Sequence, residues 1–219
     1  EYQEMGYLDS AILNTLARLG WSKGDSEVFY LDDLIRDFEI SEVQKSGAIF
    51  DITKLDFLNS QHMANLSLED FKNYLIPFLT KYNIDINTHP KTDLLIESLR
   101  SSGTTFINVA QNLRCYFLDV ENYDEKAINK FIGDSVEVLV DLKSRILDIE
   151  QWEETSLDNL LSAYREEKNL KVPQVNQPLR IALTGSTNSP SLGLTMFLFD
   201  KSEVIKRISN LIAQVHKES

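Results

Sequence analysis

Apolar residues recur at three- and four-residue intervals along most of the chain, the spacing that puts one face of an α-helix into a core. Ala11, Ile12, Leu16 and Leu19 predict a first helix, with Asp9 or Ser10 as its cap and Gly20 as its stop. Leu31, Leu34, Ile35 and Phe38 predict a second over 29–38, and a third begins near Asp51 and carries Leu55, Leu58 and Met63. Ser67 and Asp70 resemble a capping box ahead of Phe71, Tyr74, Leu75 and Phe78. Pro77 lies inside that run and is expected to bend or end the helix. Periodicity returns at Leu94, Leu95 and Leu99, breaks at Ser101, Ser102 and Gly103, and resumes from Thr104 or Thr105 to 117.

Beyond a polar connector at 119–124, Asp124 opens a helix holding Ile128, Phe131 and Ile132. Gly133 and Asp134 separate it from a longer one with Val136, Leu139, Leu142 and Ile146. Leu157, Leu160, Leu161 and Tyr164 predict the next, and residues 171–178, with two prolines, are expected to be a loop. Asp200 and Glu203 form a D-x-x-E start for the last helix, with Val204, Ile208 and Leu211 on one face. No long alternating run and no Asn-Gly turn is present, so strand signals are weak and the expected fold class is all-α.

Composition narrows the function classes. Hydrophobic residues make up 42% of 219, enough for a core, and no run of 18 apolar residues indicates a membrane span. The chain begins EYQEMGYL without an initiator Met, which reads as a piece of a longer protein. A single cysteine, Cys115 in an apolar stretch, excludes a disulfide framework within the chain; a buried small side chain in a reduced, cytoplasmic protein is expected.

The net charge of -12 argues against nucleic acid if taken alone. Its distribution changes that reading, because residues 160–219 carry eight bases against five acids and are the only net basic stretch. An acidic protein can bind RNA through one local basic face.

Catalytic patterns are missing. Neither G-x-G-x-x-G nor G-x-x-x-x-G-K-[ST] occurs. His62, His89 and His216 are scattered without metal-ligand spacing, and His89, before Pro90, is expected to face solvent. Acid pairs such as Asp32-Asp33 and Glu153-Glu154 suit helix starts and surfaces. Residues 185–190, Gly-Ser-Thr-Asn-Ser-Pro, are more informative: their hydroxyls, amide and backbone donors can hydrogen-bond the edges of splayed bases. Arg180, nine and ten residues ahead of Ser189 and Pro190, offers a planar fork for a base or phosphate. On these residues alone, an ordinary helix–helix connector with an exposed arginine, within a helical protein-interaction scaffold, stays open.

The stretch KVPQVNQPLRIALTGSTNSPSL resembles the end of glutamyl-tRNA synthetases, class I aminoacyl-tRNA synthetases with a Q-x-x-Q-P-L-R-x-A-L-T-G run followed by Ser/Thr-Pro and Leu. Gln174, Gln177, Pro178, Leu179, Arg180, Ala182, Leu183, Thr184, Gly185, Pro190 and Leu192 fit it. Met5-Gly6-Tyr7-Leu8, Leu19-Gly20-Trp21 and Gly24-Asp25 resemble the family segment after the KMSKS-type loop. Phe50-Asp51, Lys54-Leu55 and Leu58-Asn59 match an F-D-x-x-K-L-x-x-L-N element, and Arg114, Tyr116-Phe117 and Tyr123 an R-[FY]-[FL]-F…Y element. The resemblance covers nearly the whole chain in the expected order.

It implies a stem-contact region at 1–66 and helical anticodon-binding domains at 67–122 and 123–219. Arg180, Ser189, Pro190 and Leu192 match family residues that read the anticodon. Ser102 stands where members restricted to tRNA(Glu) carry an arginine, and Arg100 lies two residues earlier; the departure implies an altered preference that extends to tRNA(Gln). Arg165, Lys168, Lys171, Lys201, Lys206 and Arg207 are the expected contacts to the tRNA backbone. The full-length enzyme joins glutamate to tRNA using ATP and Mg²⁺, so the implied partners are tRNA(Glu) and the catalytic domain of the same chain. The HIGH and KMSKS-type motifs are absent here, and this monomeric piece is expected to catalyse nothing. A diverged paralogue that charges a different tRNA stays open.

Overall fold

The computed structural model describes residues 1–45 and 47–218, without the side chains of Asp134, Lys217 and Glu218. The described residues form twelve α-helices and no strand, matching the 3.6-residue apolar spacing. They fall into two compact units, Glu1–Arg114 and Cys115–Ser219.

The first unit holds α1 (Asp9–Arg18), α2 (Leu31–Asp37), α3 (Ile52–Ala64), α4 (Leu68–Thr80), α5 (Thr92–Leu99) and α6 (Phe106–Leu113). Helix α1 packs on α3, and α4 on α6. Asn59, fully buried on α3, accepts from the Leu8 amide at 2.8 Å and donates to the Thr104 carbonyl at 2.6 Å. The Phe106 amide donates to the Gly6 carbonyl at 3.1 Å, so the segment before α1 and the start of α6 share one interior. Side chains close the exposed helix starts: Asp51 accepts from the Thr53 amide and Ser67 from the Asp70 amide.

Four local expectations shift. Helix α1 begins at Asp9 itself, with Leu8 in the capping position and no side-chain cap. Helix α2 is short and buries only Leu34, leaving Ile35 74% exposed, so its four apolar residues do not make one core face. Pro77 does not end α4, which runs to Thr80; the carbonyl it leaves unbonded belongs to exposed Asn73, where water can serve it. The helix expected up to 117 stops at Leu113 and tightens into a 3-10 turn over Arg114–Tyr116.

The second unit holds α7 (Glu125–Phe131), α8 (Val136–Leu147), α9 (Glu154–Lys168), α10 (Val172–Thr184), α11 (Leu192–Leu198) and α12 (Lys201–Glu218). Helix α11 packs on α9, while α12 packs on both α8 and α10. Buried Leu139, Leu142, Leu157, Leu161, Val204 and Ile208 fill the space between them. Caps from Asp124, Ser191 and Asp200 open α7, α11 and α12.

Residues 171–178 are not a loop, because α10 covers all but the first of them. Pro173 sits in the first turn, where its missing N–H has no intrahelical partner to lose. The Gln174 side chain turns back to accept from the Lys171 amide at 2.8 Å and closes the start. Pro178 lies in the helix interior and is buried, so its ring packs where a polar N–H would have needed a bond.

Candidate nucleic-acid interface

Helix α10 ends on Gly185, whose φ of +77° is the left-handed conformation that frees the chain to leave the helix axis. The Gly185 carbonyl accepts from the Asp124 amide at 3.0 Å. Thr184 Oγ1 donates back to the Arg180 carbonyl at 2.9 Å, and Ser186 Oγ donates to the Asn188 carbonyl at 3.1 Å. At the far end, Ser191 caps α11 and donates to Glu154 on α9 at 3.2 Å, while Asp158 accepts from the Gly193 amide at 3.1 Å. The turn between α10 and α11 is therefore pinned at both ends.

This turn brings together residues that the sequence separates. Arg180 Nε donates to Ser189 Oγ at 2.8 Å, and Nη2 donates to the Pro190 carbonyl at 3.2 Å. Arg180 is half-buried, has no carboxylate partner among the described residues, and burial pushes its pKa down. Its Nη1 has no protein acceptor among the described residues. Gln177, one turn earlier on α10, holds a buried Oε1 without a partner, a group aligned by helical spacing with Arg180. Tyr116 stacks on Phe199 at 4.8 Å, and burial pushes its phenol well above the usual range. Leu192 is 2% exposed and opens α11, so its side chain supports the turn from inside.

The other expected contacts have varied surroundings. Arg165 donates to Asn176 at 3.0 Å and Ser162 at 2.8 Å, with no carboxylate partner among the described residues. Lys171 is exposed and unpaired among the described residues. Lys168 pairs with Asp141 at 3.0 Å, and Lys206 with Asp119 at 2.6 Å. Lys201 donates to the carbonyls of Leu147 and Ile149 and closes the end of α8. Arg207 is buried against Glu203, Leu183, Leu118 and the Phe199 ring.

Arg100 and Ser102 lie in the first unit. Arg100 donates to the carbonyls of Met63, Ala64 and Leu66, pairs with Glu97 at 3.0 Å, and lies over the Phe71 ring. It fastens the end of α3 to the start of α4. Ser102 is half-buried, and Asn112 donates to both its carbonyl and its hydroxyl, at 2.9 and 3.1 Å.

His62 is buried with Nε2 at 3.1 Å from Asn14 Oδ1. His89 is half-buried rather than solvent-facing, because its Nδ1 accepts from the Lys91 amide at 3.1 Å. Cys115 is partly exposed as a residue, but burial around the thiol pushes its pKa up to about 12, far from a reactive thiolate. No group of three His, Cys, Asp or Glu among the described residues could hold a metal ion. No helix among them is long and apolar enough to cross a membrane.

A family described as "Anticodon binding domain" matches residues 68–212, the span that carries Arg180, Ser189 and Pro190. The chain belongs to the anticodon-binding-domain family. Residues 1–57 match a second description, the catalytic domain of class I tRNA synthetases (E and Q). Glutamate–tRNA ligase 1 of Campylobacter hominis is 36% identical over 219 residues, covering 100% of this chain and 46% of that relative. The glutamate–tRNA ligase of Francisella tularensis subsp. novicida is 33% identical over 221 residues, covering 99% and 47%. A glutamate tRNA ligase crystal structure from Elizabethkingia meningosepticum, solved in complex with its amino acid, superposes with a TM-score of 0.83 at 27% identity, covering 97% of this chain and 42% of that one. The chain spans about half the length of the curated relatives it matches.

Sequence reasoning reached Arg180, Ser189 and Pro190 but missed Thr195, which donates to Ser189 Oγ at 3.1 Å. Thr195 sits in the apolar run LGLTMFLF, where spacing alone reads it as core.

Proposed function

We propose that this chain recognises the anticodon arm of tRNA(Glu) as the C-terminal part of a glutamate–tRNA ligase. The observation that carries the reading is Arg180: a half-buried guanidinium held by Ser189 and Pro190, with no carboxylate to neutralise it and one terminal nitrogen unpaired among the described residues. A desolvated cation without an internal anion favours an electron-rich acceptor such as a base edge or a phosphate. Exposed Lys171, just before α10, and half-buried Arg165 on α9 supply backbone contacts in the same unit.

Within the whole enzyme, residues 1–66 act as the stem-contact region and residues 67–122 and 123–219 as two anticodon-binding modules. Glutamate activation with ATP and Mg²⁺ belongs to a catalytic region of the same polypeptide. The enzyme works as a cytoplasmic monomer. A preference widened to tRNA(Gln) finds no support: the relatives named above are glutamate–tRNA ligases.

The test is fluorescence titration of this 219-residue chain with an anticodon-arm hairpin of tRNA(Glu) at fixed salt. Arg180→Ala is expected to weaken binding tenfold or more, against at most about threefold for an exposed Lys171→Ala. Equal affinity of wild type and Arg180→Ala would overturn the assignment.

A further inference from the structure

We infer that Thr195 is a positioning residue for RNA reading: its buried hydroxyl locks Ser189 so that Ser189 holds Arg180 and does not itself bond a base. The inference rests on the reading of Arg180 as the base- or phosphate-binding group.

A serine hydroxyl has one proton to donate and two lone pairs that accept. All three are occupied at Ser189. Its proton goes to the Pro190 carbonyl at 3.0 Å, and its lone pairs accept from Arg180 Nε at 2.8 Å and from Thr195 Oγ1 at 3.1 Å. No capacity is left for a nucleobase. The matching of Ser189 to an anticodon-reading position thus acquires a different physical content at the side chain: the hydroxyl orients the arginine.

Thr195 is the least accessible member of the group, 0% exposed on α11, and its amide is fixed by the Ser191 carbonyl at 2.8 Å. A threonine on a helix divides between two χ1 rotamers; the one adopted in the fully buried setting of Thr195 puts its hydroxyl 3.1 Å from Ser189 Oγ, with the Pro190 carbonyl a more distant acceptor at 3.5 Å. Packing of α11 on α9, the Ser191–Glu154 bond and the Asp158–Gly193 bond then transmit a rigid orientation through Thr195 to Ser189 and on to Arg180. With Nε and Nη2 both bonded within the turn, the planar guanidinium is held in one plane, and Nη1 is the nitrogen left without a protein acceptor among the described residues. Selectivity between bases depends on that plane, whereas attraction to phosphate does not.

The experiment compares wild type, Thr195→Val, Thr195→Ser and Arg180→Ala. Each is titrated with the tRNA(Glu) anticodon-arm hairpin and with hairpins carrying one altered anticodon base, over a range of salt. Thr195→Val keeps the volume and removes the donor. It is expected to lower the cognate-to-altered affinity ratio by about three- to tenfold while leaving the salt slope of binding unchanged. Thr195→Ser restores the donor and is expected to keep the wild-type ratio. A Val variant with the wild-type ratio overturns the inference, and so does a Ser variant that loses as much as Val. An Arg180→Ala ratio equal to wild type overturns the underlying reading of the site instead, so the two failures are separable. Thermal melts of each variant in the absence of RNA identify any loss caused by unfolding, and the unchanged salt slope provides the second readout.

Discussion

The guanidinium of Arg207 donates to the Leu183 carbonyl at 2.7 Å from a side chain that is only 5% exposed. Leu183 is in the last turn of α10, where carbonyls lack an intrahelical donor, so α12 closes the end of the helix that carries Arg180. The same side chain serves the Leu118 carbonyl at 3.0 Å and Glu203 at 2.6 Å. Arg207→Met is expected to cost about 3 kcal/mol of folding free energy, because it leaves the Leu183 and Leu118 carbonyls unserved and removes one of the two cations on Glu203. Urea unfolding checks it. A loss below about 0.5 kcal/mol, the usual range for exposed sites, would return Arg207 to the surface cations.

Salt dependence distinguishes free cations from engaged ones. Of the seven cations assigned to the RNA in this unit, Arg165, Lys171 and Arg180 have, among the described residues, neither a carboxylate partner nor a carbonyl-capping task at a helix end. Arg180 does donate to the Pro190 carbonyl, but within its own turn. Three phosphate contacts predict a slope of log K against log salt near -2 for a single-stranded loop, whereas seven predict about -5. Titrations between low and physiological salt measure it.

Stability should depend on pH through His62. Burial pushes its pKa below the ordinary 6.5, and its Nε2 faces Asn14 Oδ1 in the interior of the first unit. The unfolded chain then binds a proton more readily than the folded one, so stability is full above pH 6.5 and falls as pH drops from there towards the folded pKa. His62→Gln is expected to flatten this part of the profile, measured by urea midpoints between pH 8 and about 5. An unchanged slope would mean another group titrates there.

Gly185→Ala is expected to destabilise the second unit by about 1–2 kcal/mol, because an L side chain is strained at a φ of +77°. A Cβ there would also meet Val120 Cγ1 at 2.8 Å and the Asn122 carbonyl at 3.2 Å. The change moves the turn that carries Ser189, so the anticodon-arm affinity falls with the melting temperature. A variant that melts as wild type does would show that the backbone can leave α10 without the left-handed residue.

Local patterns were read correctly where the physics is local. Ser67, Asp124 and Asp200 cap helices because each bonds an amide two or three residues ahead, and the apolar spacing of α8 and α12 matches their buried faces. The dense motif at 174–192 singled out Arg180, Ser189 and Pro190, which the structure brings together, because its glycine and proline have backbone consequences visible in one dimension.

By itself, then, the sequence determined an all-α fold, the family resemblance and the candidate turn with Arg180. Tertiary structure decided which cations are available, since Arg207, Lys201 and Arg100 look like surface bases until helices distant in sequence place carbonyls around them. It also decided that residues 172–178 are helical, because a buried Pro178 and the Gln174 cap outweigh the local preference of two prolines for a loop. And it decided the role of Ser189, whose three hydrogen-bonding positions are filled by partners from α10, α11 and the adjoining carbonyl. Pairing of this kind depends on how helices pack, and helical periodicity records only which face turns inward, not which partner meets it there.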